Sequence, residues 1–309
     1  MQSRRTFFES CAAVTLPALL GASASSGAAG DAALLPTIPL GKHRVTRLVI
    51  GANPFYGYAH FNSILSKHME EWATQEHVCE ALRRCQQCGI NTWQFSHNDR
   101  SISDVQCHRS SGGTLQWILT TNGAMLASQS LTAQRAAMKP IAIVHQGVST
   151  DKRWAAGEQN KVREYLKWVR DTGVAVGMAS HNPAIIEAAE EQGWDIDFFM
   201  CAVYRYNRTP EELDKALSGE ITVGETYLAK DPARMYRVIR QSRKTCFAFK
   251  ILAAGRLQTP KEIDQAFSTA FENIKAQDGV IVGMYPKFSD QVFENTERVR
   301  RILPAATAA

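Results

Sequence analysis

The sequence predicts a single (β/α)8 barrel, and three observations carry the prediction. Strand-like and helix-like segments alternate through eight units between Val45 and Ile302. The strand-like segments are short apolar runs with little polar alternation, as expected of a parallel sheet covered by helices. No glycine-rich dinucleotide loop follows the first strand; Gly51-Ala-Asn-Pro-Phe-Tyr-Gly57 stands there instead, which argues against an open doubly wound sheet. The 309 residues suit a fold that commonly takes about 250.

Each element follows from local pattern. Val45–Ile50 reads as the first strand and ends at Gly51. Gln75–Gln87 reads as a helix with Val78, Leu82 and Cys85 on one face and Gly89 at its end. Thr92–Phe95, Leu115–Thr120 and Ile141–Val144 read as the next three strands. Glu158–Thr172 is a helix that turns Val162, Tyr165, Leu166 and Val169 inward and stops at Gly173. Ala175–Met178 is a strand, and Pro183 opens a helix over Pro183–Gln192, where a missing N–H costs nothing. Strand Phe198–Val203, helix Pro232–Gln241, strand Cys246–Leu252 and helix Pro260–Ile274 follow. Strand Val280–Gly283 and helix Asp290–Ile302 complete the eighth unit. Two connections are long, Asn53–Thr74 and Arg205–Asp231. Long β-to-α loops lie over a barrel's active-site end, so both are candidate lids.

Residues 1–30 read as a leader and residues 31–309 as the barrel domain. Ser3-Arg4-Arg5-Thr6-Phe7-Phe8, followed by a soft apolar run from Cys11 to Ala24, resembles a twin-arginine export signal. Ala22-Ser-Ala24 and Gly27-Ala-Ala29 offer small-x-small cleavage sites. The run is too short for a stable membrane span, which needs about 20 apolar residues. The expected partner in export is the twin-arginine translocation machinery, and the expected location is periplasmic or extracellular. Net charge is +5, much of it from Arg4, Arg5 and the helix-terminal Arg298, Arg300 and Arg301. No basic stripe with interleaved aromatics is present, which argues against nucleic-acid binding. Cys85-x-x-Cys88 has no second such pair to complete a zinc site. An oxidising compartment would permit a disulfide.

In a barrel of this kind the residues just after each strand point into the mouth. Reading them off gives Asn53 and His60; then Gln94, Ser96, His97 and Asp99; then Thr121 and Asn122; then His145 and Gln146. Ser180, His181 and Asn182 follow, then Tyr204, Tyr206 and Asn207, then Lys250, then Tyr285 and Lys287. His97, His145 and His181 stand at three strand ends, and Lys250 interrupts the apolar run Phe247–Ala253. A buried lysine needs a carboxylate, a phosphate or a substrate oxygen, or it gives up its charge. His43, His68, His77 and His108 read as surface residues.

From about Leu40 to Leu303 the chain resembles the aldo-keto reductase superfamily. The likeness is carried by Leu40–Gly51, Gly89–Gln94, Ile141–His145, Lys167–Ser180, Asp197–Tyr204 and Gly283–Asn295. The resemblance implies NADP(H), bound by Ser180, Tyr204 (stacked on the nicotinamide), Lys287, Gln291 and Asn295. It also implies His145 at the active site. It departs where that family's proton relay stands: Gln94 takes the aspartate position, Asp99 lies at or near the tyrosine position, and Thr121 or Asn122 takes the lysine position.

Two enzymatic readings result. In the first, an exported aldo-keto reductase-like oxidoreductase acts on a carbonyl or polyol, a sugar derivative among them. NADP(H) is its cofactor, His145 or His97 handles the proton, and Lys250 and Asp99 complete the catalytic set. In the second, His97, His145 and His181, with Asp99 or Glu225, hold a divalent metal such as Zn or Mn for a lyase, isomerase or hydrolase on a sugar-like substrate. A third reading is a non-catalytic binding protein of the envelope. In the first reading Lys287→Ala weakens NADPH binding.

Overall fold

The computed structural model describes residues 32–121, 138–220 and 224–303. Residues 1–31, with Arg4 and Arg5, and Asn122 lie outside the described residues. The chain opens with an antiparallel hairpin, β1 (Thr37–Leu40) and β2 (His43–Thr46). Eight parallel strands then close a barrel: β3 (Leu48–Gly51), β4 (Thr92–Ser96), β5 (Gln116–Thr121), β6 (Ala142–His145), β7 (Ala175–Ser180), β8 (Phe198–Ala202), β9 (Thr245–Phe249) and β10 (Gly279–Gly283). Closure is the pairing of β10 with β3, Val280 opposite Leu48 and Gly283 opposite Gly51.

The helices are α1 (Ser63–Trp72), α2 (Gln75–Gln87), α3 (Ser101–Ser110), α4 (Gly147–Ala155), α5 (Gln159–Arg170), α6 (Pro183–Glu191), α7 (Pro210–Leu217), α8 (Asp231–Gln241), α9 (Pro260–Asn273) and α10 (Gln291–Ile302). Their starts are chemically specified. Thr259 and Glu262 form a reciprocal capping box ahead of Pro260, and Thr209 and Glu212 do the same for α7. The Asn182 side chain accepts from the Ala184 N–H at the head of α6, with Pro183 as its first residue.

Alternation along the strands divides the core in two. Val49, Ile118, Ala142, Val144, Ala179, Phe198, Met200, Phe247 and Ile281 pack inside the barrel, joined by Ile38, Leu40 and Val45 of the hairpin. The hairpin therefore closes the end where the strands begin, and Gly41 at its turn faces Ala175, the first residue of β7. The intervening residues, among them Ile50, Trp93, Leu119, Ile143, Met178, Phe199 and Ala248, pack outward against the helices.

The predicted fold class holds, and the differences are local. The predicted strand Val45–Ile50 is divided between β2 and β3. Arg47 separates them, its guanidinium donating to the carbonyls of Asp278 and Lys275 at the far seam of the barrel. The predicted strand Cys246–Leu252 stops at Phe249, because Lys250 adopts a left-handed φ of 61° and turns the chain. Both long connections hold helices, α1 and α7, and α3 and α4 follow β4 and β6 directly. His108 is buried rather than exposed: its ring stands edge-on to Trp117 and its Nε2 accepts from the Leu115 N–H. Cys85 and Cys88 are buried free thiols. No helix among the described residues is long and apolar enough to cross a membrane.

Gly177 marks how tightly the interior is filled. A Cβ there would lie 2.5 Å from Phe198 Cζ and 2.8 Å from Val144 Cγ2. Gly177→Val should therefore destabilise the protein by about 1–3 kcal/mol through overpacking. Urea denaturation measures this, and an unchanged midpoint would contradict the interior packing described.

Candidate active site

The strands end on a cavity of about 810 Å³ that spans the barrel mouth and extends beneath α9 and α10. Its mouth is built around Tyr206, which follows β8. The Tyr206 ring stands edge-on to His181 at 4.8 Å between centroids and tilted to His60 at 5.4 Å. The Lys250 amine lies over the same ring at 4.9 Å. Four residues from the ends of β3, β7, β8 and β9 thus converge on one point.

Each histidine is held by a carboxylate. Asp151, on the second turn of α4 and buried, accepts from Ser180 Oγ at 2.5 Å, from the His181 backbone N–H at 3.2 Å and from Asn207 Nδ2 at 2.5 Å. It also meets His181 Nδ1 at 2.8 Å. A carboxylate can only accept, so Nδ1 carries a proton and donates it, and Nε2 is the nitrogen that Asp151 leaves free. Gly147 permits this placement: a Cβ there would lie 2.9 Å from His181 Cε1. His60, in the long connection after β3, has Nδ1 at 2.9 Å from Glu225 Oε1, and Tyr227 donates to Glu225 Oε2 at 2.9 Å. Burial, then the Lys250 charge, pushes His60 below the ordinary histidine range, against the pull of Glu225. Burial opposes ionisation of Glu225, but its bonds from His60 and Tyr227 and the Lys250 charge outweigh it and hold the carboxyl below its usual range. Arg256 ties the two long loops together: it donates to the His60 carbonyl at 3.1 Å and lies 3.9 Å above the Tyr227 ring.

Lys250 has no such partner. Its amine is buried and makes no hydrogen bond among the described residues. Burial, with Arg256 adding to it and Glu225 opposing, lowers it to about 8. Tyr206 is pushed the other way, up to about 12, by burial and then by Glu225 and Asp151.

The sequence-predicted residues divide clearly. His97, His181, Lys250, Gln291 and Asn295 line the cavity, as do Asn53, His60, Gln94, Ser96 and Tyr206. His97 Nδ1 is 3.0 Å from Ser101 Oγ. His145 does not reach the cavity. It shares the outward parity of Ile143 and lies buried against Tyr165, 4.7 Å between ring centroids, with Nδ1 2.7 Å from Thr150 Oγ1. The set His97, His145 and His181 is therefore not brought together. No cluster of three His, Cys, Asp or Glu side chains placed to hold a metal exists among the described residues. Asp99 is exposed on the loop before α3 and does not line the cavity. Ser180 faces outward to Asp151, and Tyr204 packs on Tyr227 and the outer core. Lys287 is exposed beside His68 Nε2 at 3.1 Å, outside the cavity.

Four contributors escaped the sequence reading: Tyr227 and Arg256, which hold the His60–Glu225 pair, and Asp151 and Arg298. Asp151 stands mid-helix, and only its i+4 relation to the glycine that admits His181 marks it. Arg298 lines the far arm of the cavity, paired with Asp264 at 2.6 Å and with Asn295 Oδ1 at 3.1 Å. In the same arm Gln291 Oε1 accepts from the Tyr285 N–H at 2.8 Å.

No family model matches the chain, and no curated protein matches it in sequence. Solved structures match it in fold. Gox0644 in its apo form superposes with a TM-score of 0.51 at 10% identity, over 89% of this chain and 97% of that one. A truncated 3-deoxy-D-arabino-heptulosonate 7-phosphate synthase from Thermotoga maritima gives 0.50 at 12%, over 87% and 91%. An aldo/keto reductase from Brucella melitensis gives 0.47 at 11%, over 90% and 95%. At such identities the first two likenesses show the barrel fold alone.

The placement of His145 has a measurable consequence. Burial first, then the Arg153 charge, lowers it to about 4. The unfolded chain binds a proton near the ordinary histidine value of about 6.5, so this depressed group stabilises the fold above that pH and loses its contribution as pH falls toward 4. Between pH 7 and pH 5 the loss is about 2 kcal/mol. His145→Phe, which keeps a ring against Tyr165, should flatten the fall in urea midpoint over that interval. An unchanged pH slope would show that His145 is not a buried neutral ring.

Proposed function

We propose that the protein is an enzyme acting at a carbonyl or hydroxyl carbon of a small polar molecule, sugar derivatives being the class meant, in the mouth around Tyr206. The observation that carries this reading is the convergence of two carboxylate-held histidines and a buried, unbonded lysine amine on one tyrosine ring. Chemistry at a carbonyl requires a proton moved on or off oxygen, and an oriented neutral imidazole does this near neutral pH. His181 is the first choice for that role, since Asp151 fixes its tautomer and leaves Nε2 free. His97 lies on the opposite side of the mouth.

Within that reading, an NADP(H)-linked oxidoreductase is the first form. The fit rests on the cavity's second arm, continuous with the mouth and lined by Gln291, Asn295 and Arg298. These residues would hold the phosphate and adenine end, with a guanidinium suited to phosphate oxygens. NADP(H), when bound, supplies or accepts hydride. Ser180, Tyr204 and Lys287 have no part in this grip, since none lines the cavity. A non-redox lyase or isomerase is the second form, favoured by the Lys250 amine, which no protein group satisfies.

Titration of the purified protein with NADPH, followed by nucleotide fluorescence, separates the two forms. Saturable binding is expected, weakened about tenfold in Arg298→Ala and little changed in Lys287→Ala. Absence of saturable binding sinks the oxidoreductase form.

Export is proposed on the leader motif. The chain would travel folded through the twin-arginine machinery to a periplasmic or extracellular location. Replacing Arg4 and Arg5 by lysine should leave precursor inside the cell; unimpaired export of the double variant would contradict the route.

A further inference from the structure

We infer that Lys250 is a carbonyl-capturing residue, whose side-chain amine condenses with an aldehyde or ketone held in the mouth to form an iminium. The inference rests on the carbonyl reading of the mouth and not on the nucleotide arm. Four features of the site point to it.

The amine is placed and left unbonded. Lys250 lines the cavity, and its Nζ is buried with no hydrogen-bond partner, so its lone pair is not committed to a protein donor. The backbone that presents it is strained: a non-glycine residue held at φ 61°, followed by Ala253 at 49° and Ala254 at 53°. L-residues are rarely held there unless the surroundings enforce it, and such strain collects at functional sites. The charges facing the amine pull in opposite directions. Glu225 opposes its loss of a proton, Arg256 favours it, and His60, His181 and Tyr206 complete the ring of titratable groups. With burial added, the amine titrates at about 8, so its neutral form is far more populated near pH 7 than that of an ordinary lysine. Finally, a proton carrier is at hand, because His181 packs on the same Tyr206 ring and keeps Nε2 free.

The step balances within these groups and the substrate. The neutral amine nitrogen attacks the carbonyl carbon, and the carbon–oxygen π pair moves to oxygen. One nitrogen-bound proton passes to that oxygen, with the His181 imidazole as carrier, giving a carbinolamine. A second proton, drawn from solvent through the same imidazole, lets the hydroxyl leave as water while the nitrogen lone pair forms the C=N bond. No oxidant or reductant is involved. The product is an iminium and one water, poised for deprotonation or bond cleavage at the adjacent carbon.

The probe is 2,4-pentanedione, a 1,3-diketone that condenses with neutral amines to a stable enaminone, detected as the diketone mass less one water. The full chain is treated from about pH 6 to about pH 9, spanning the range below an ordinary lysine's titration. Adducts are located by peptide mapping. The expected result is one adduct per chain, on Lys250, with a rate that rises through a midpoint near 8. At pH 7 that adduct should form about two-hundredfold faster than on surface lysines, following the difference in neutral fraction. Lys250→Arg should abolish it. Lack of an adduct on wild-type Lys250, or labelling spread evenly over exposed lysines, overturns the inference; this readout needs no variant to fold. NADPH binding is scored separately. Saturable NADPH binding with an unlabelled Lys250 would overturn the capture role and leave the carbonyl reading standing.

Discussion

Everything at the mouth depends on the two-residue period of a closed parallel barrel. Once β10 pairs with β3, every strand has an inside and an outside, and a residue's parity decides which chemistry it can join. His145 and His181 illustrate the constraint. Both follow apolar runs, yet His145 is the last residue of β6 in phase with outward Ile143, whereas His181 lies one position past β7, after outward Ser180. The first becomes a packing element against Tyr165, and the second turns into the cavity.

The outward layer is not idle. Asp151 occupies it, on α4, and reaches under the end of β7 to bind Ser180, His181 and Asn207 together. Three segments distant in sequence are thus fixed by one buried carboxylate. Ser180 supports the histidine indirectly by saturating the carboxylate's other oxygen. The second pair, His60 with Glu225, is built only from the two long connections, and Arg256 locks it in place. One histidine therefore follows a barrel strand directly and the other sits on a long connection.

This arrangement explains which parts were legible in the sequence. Strand runs, glycine stops and proline-headed helices declare a barrel because they are local signals, and Gln75–Gln87 was readable to its ends. His97, His181 and Lys250 were legible as mouth residues because position after a strand is also local. Phase is not: Ile141–His145 has no polar alternation from which to tell inside from outside, so the side of His145 was hidden. Asp151 was hidden because its role exists only through tertiary contacts with β7 and the loop after β8. The resemblance to aldo-keto reductases led to Ser180, Tyr204 and Lys287, and each is displaced from the cavity by a turn or by parity.

The same geometry shows how the mouth can lack that family's relay and still hold reactive groups. On the β4–β5 side, where the relay would stand, Gln94 donates to Thr120 at 2.9 Å, a neutral pair with no charge to tune a proton donor. Apart from His97, the ionisable groups gather on the far side of the ring, after β7, β8 and β9, with His60 and Glu225 lowered onto them from the loops. Burial first, then Glu225 and Asp151, pushes Tyr206 up to about 12, away from the near-neutral range that best suits a proton donor. Its ring instead serves as the surface against which His181, His60 and Lys250 are positioned. A lysine amine at about 8 is the group in this cluster whose protonation is balanced near neutral pH by burial against charge. Asp151 and Glu225, by contrast, are each engaged with a histidine.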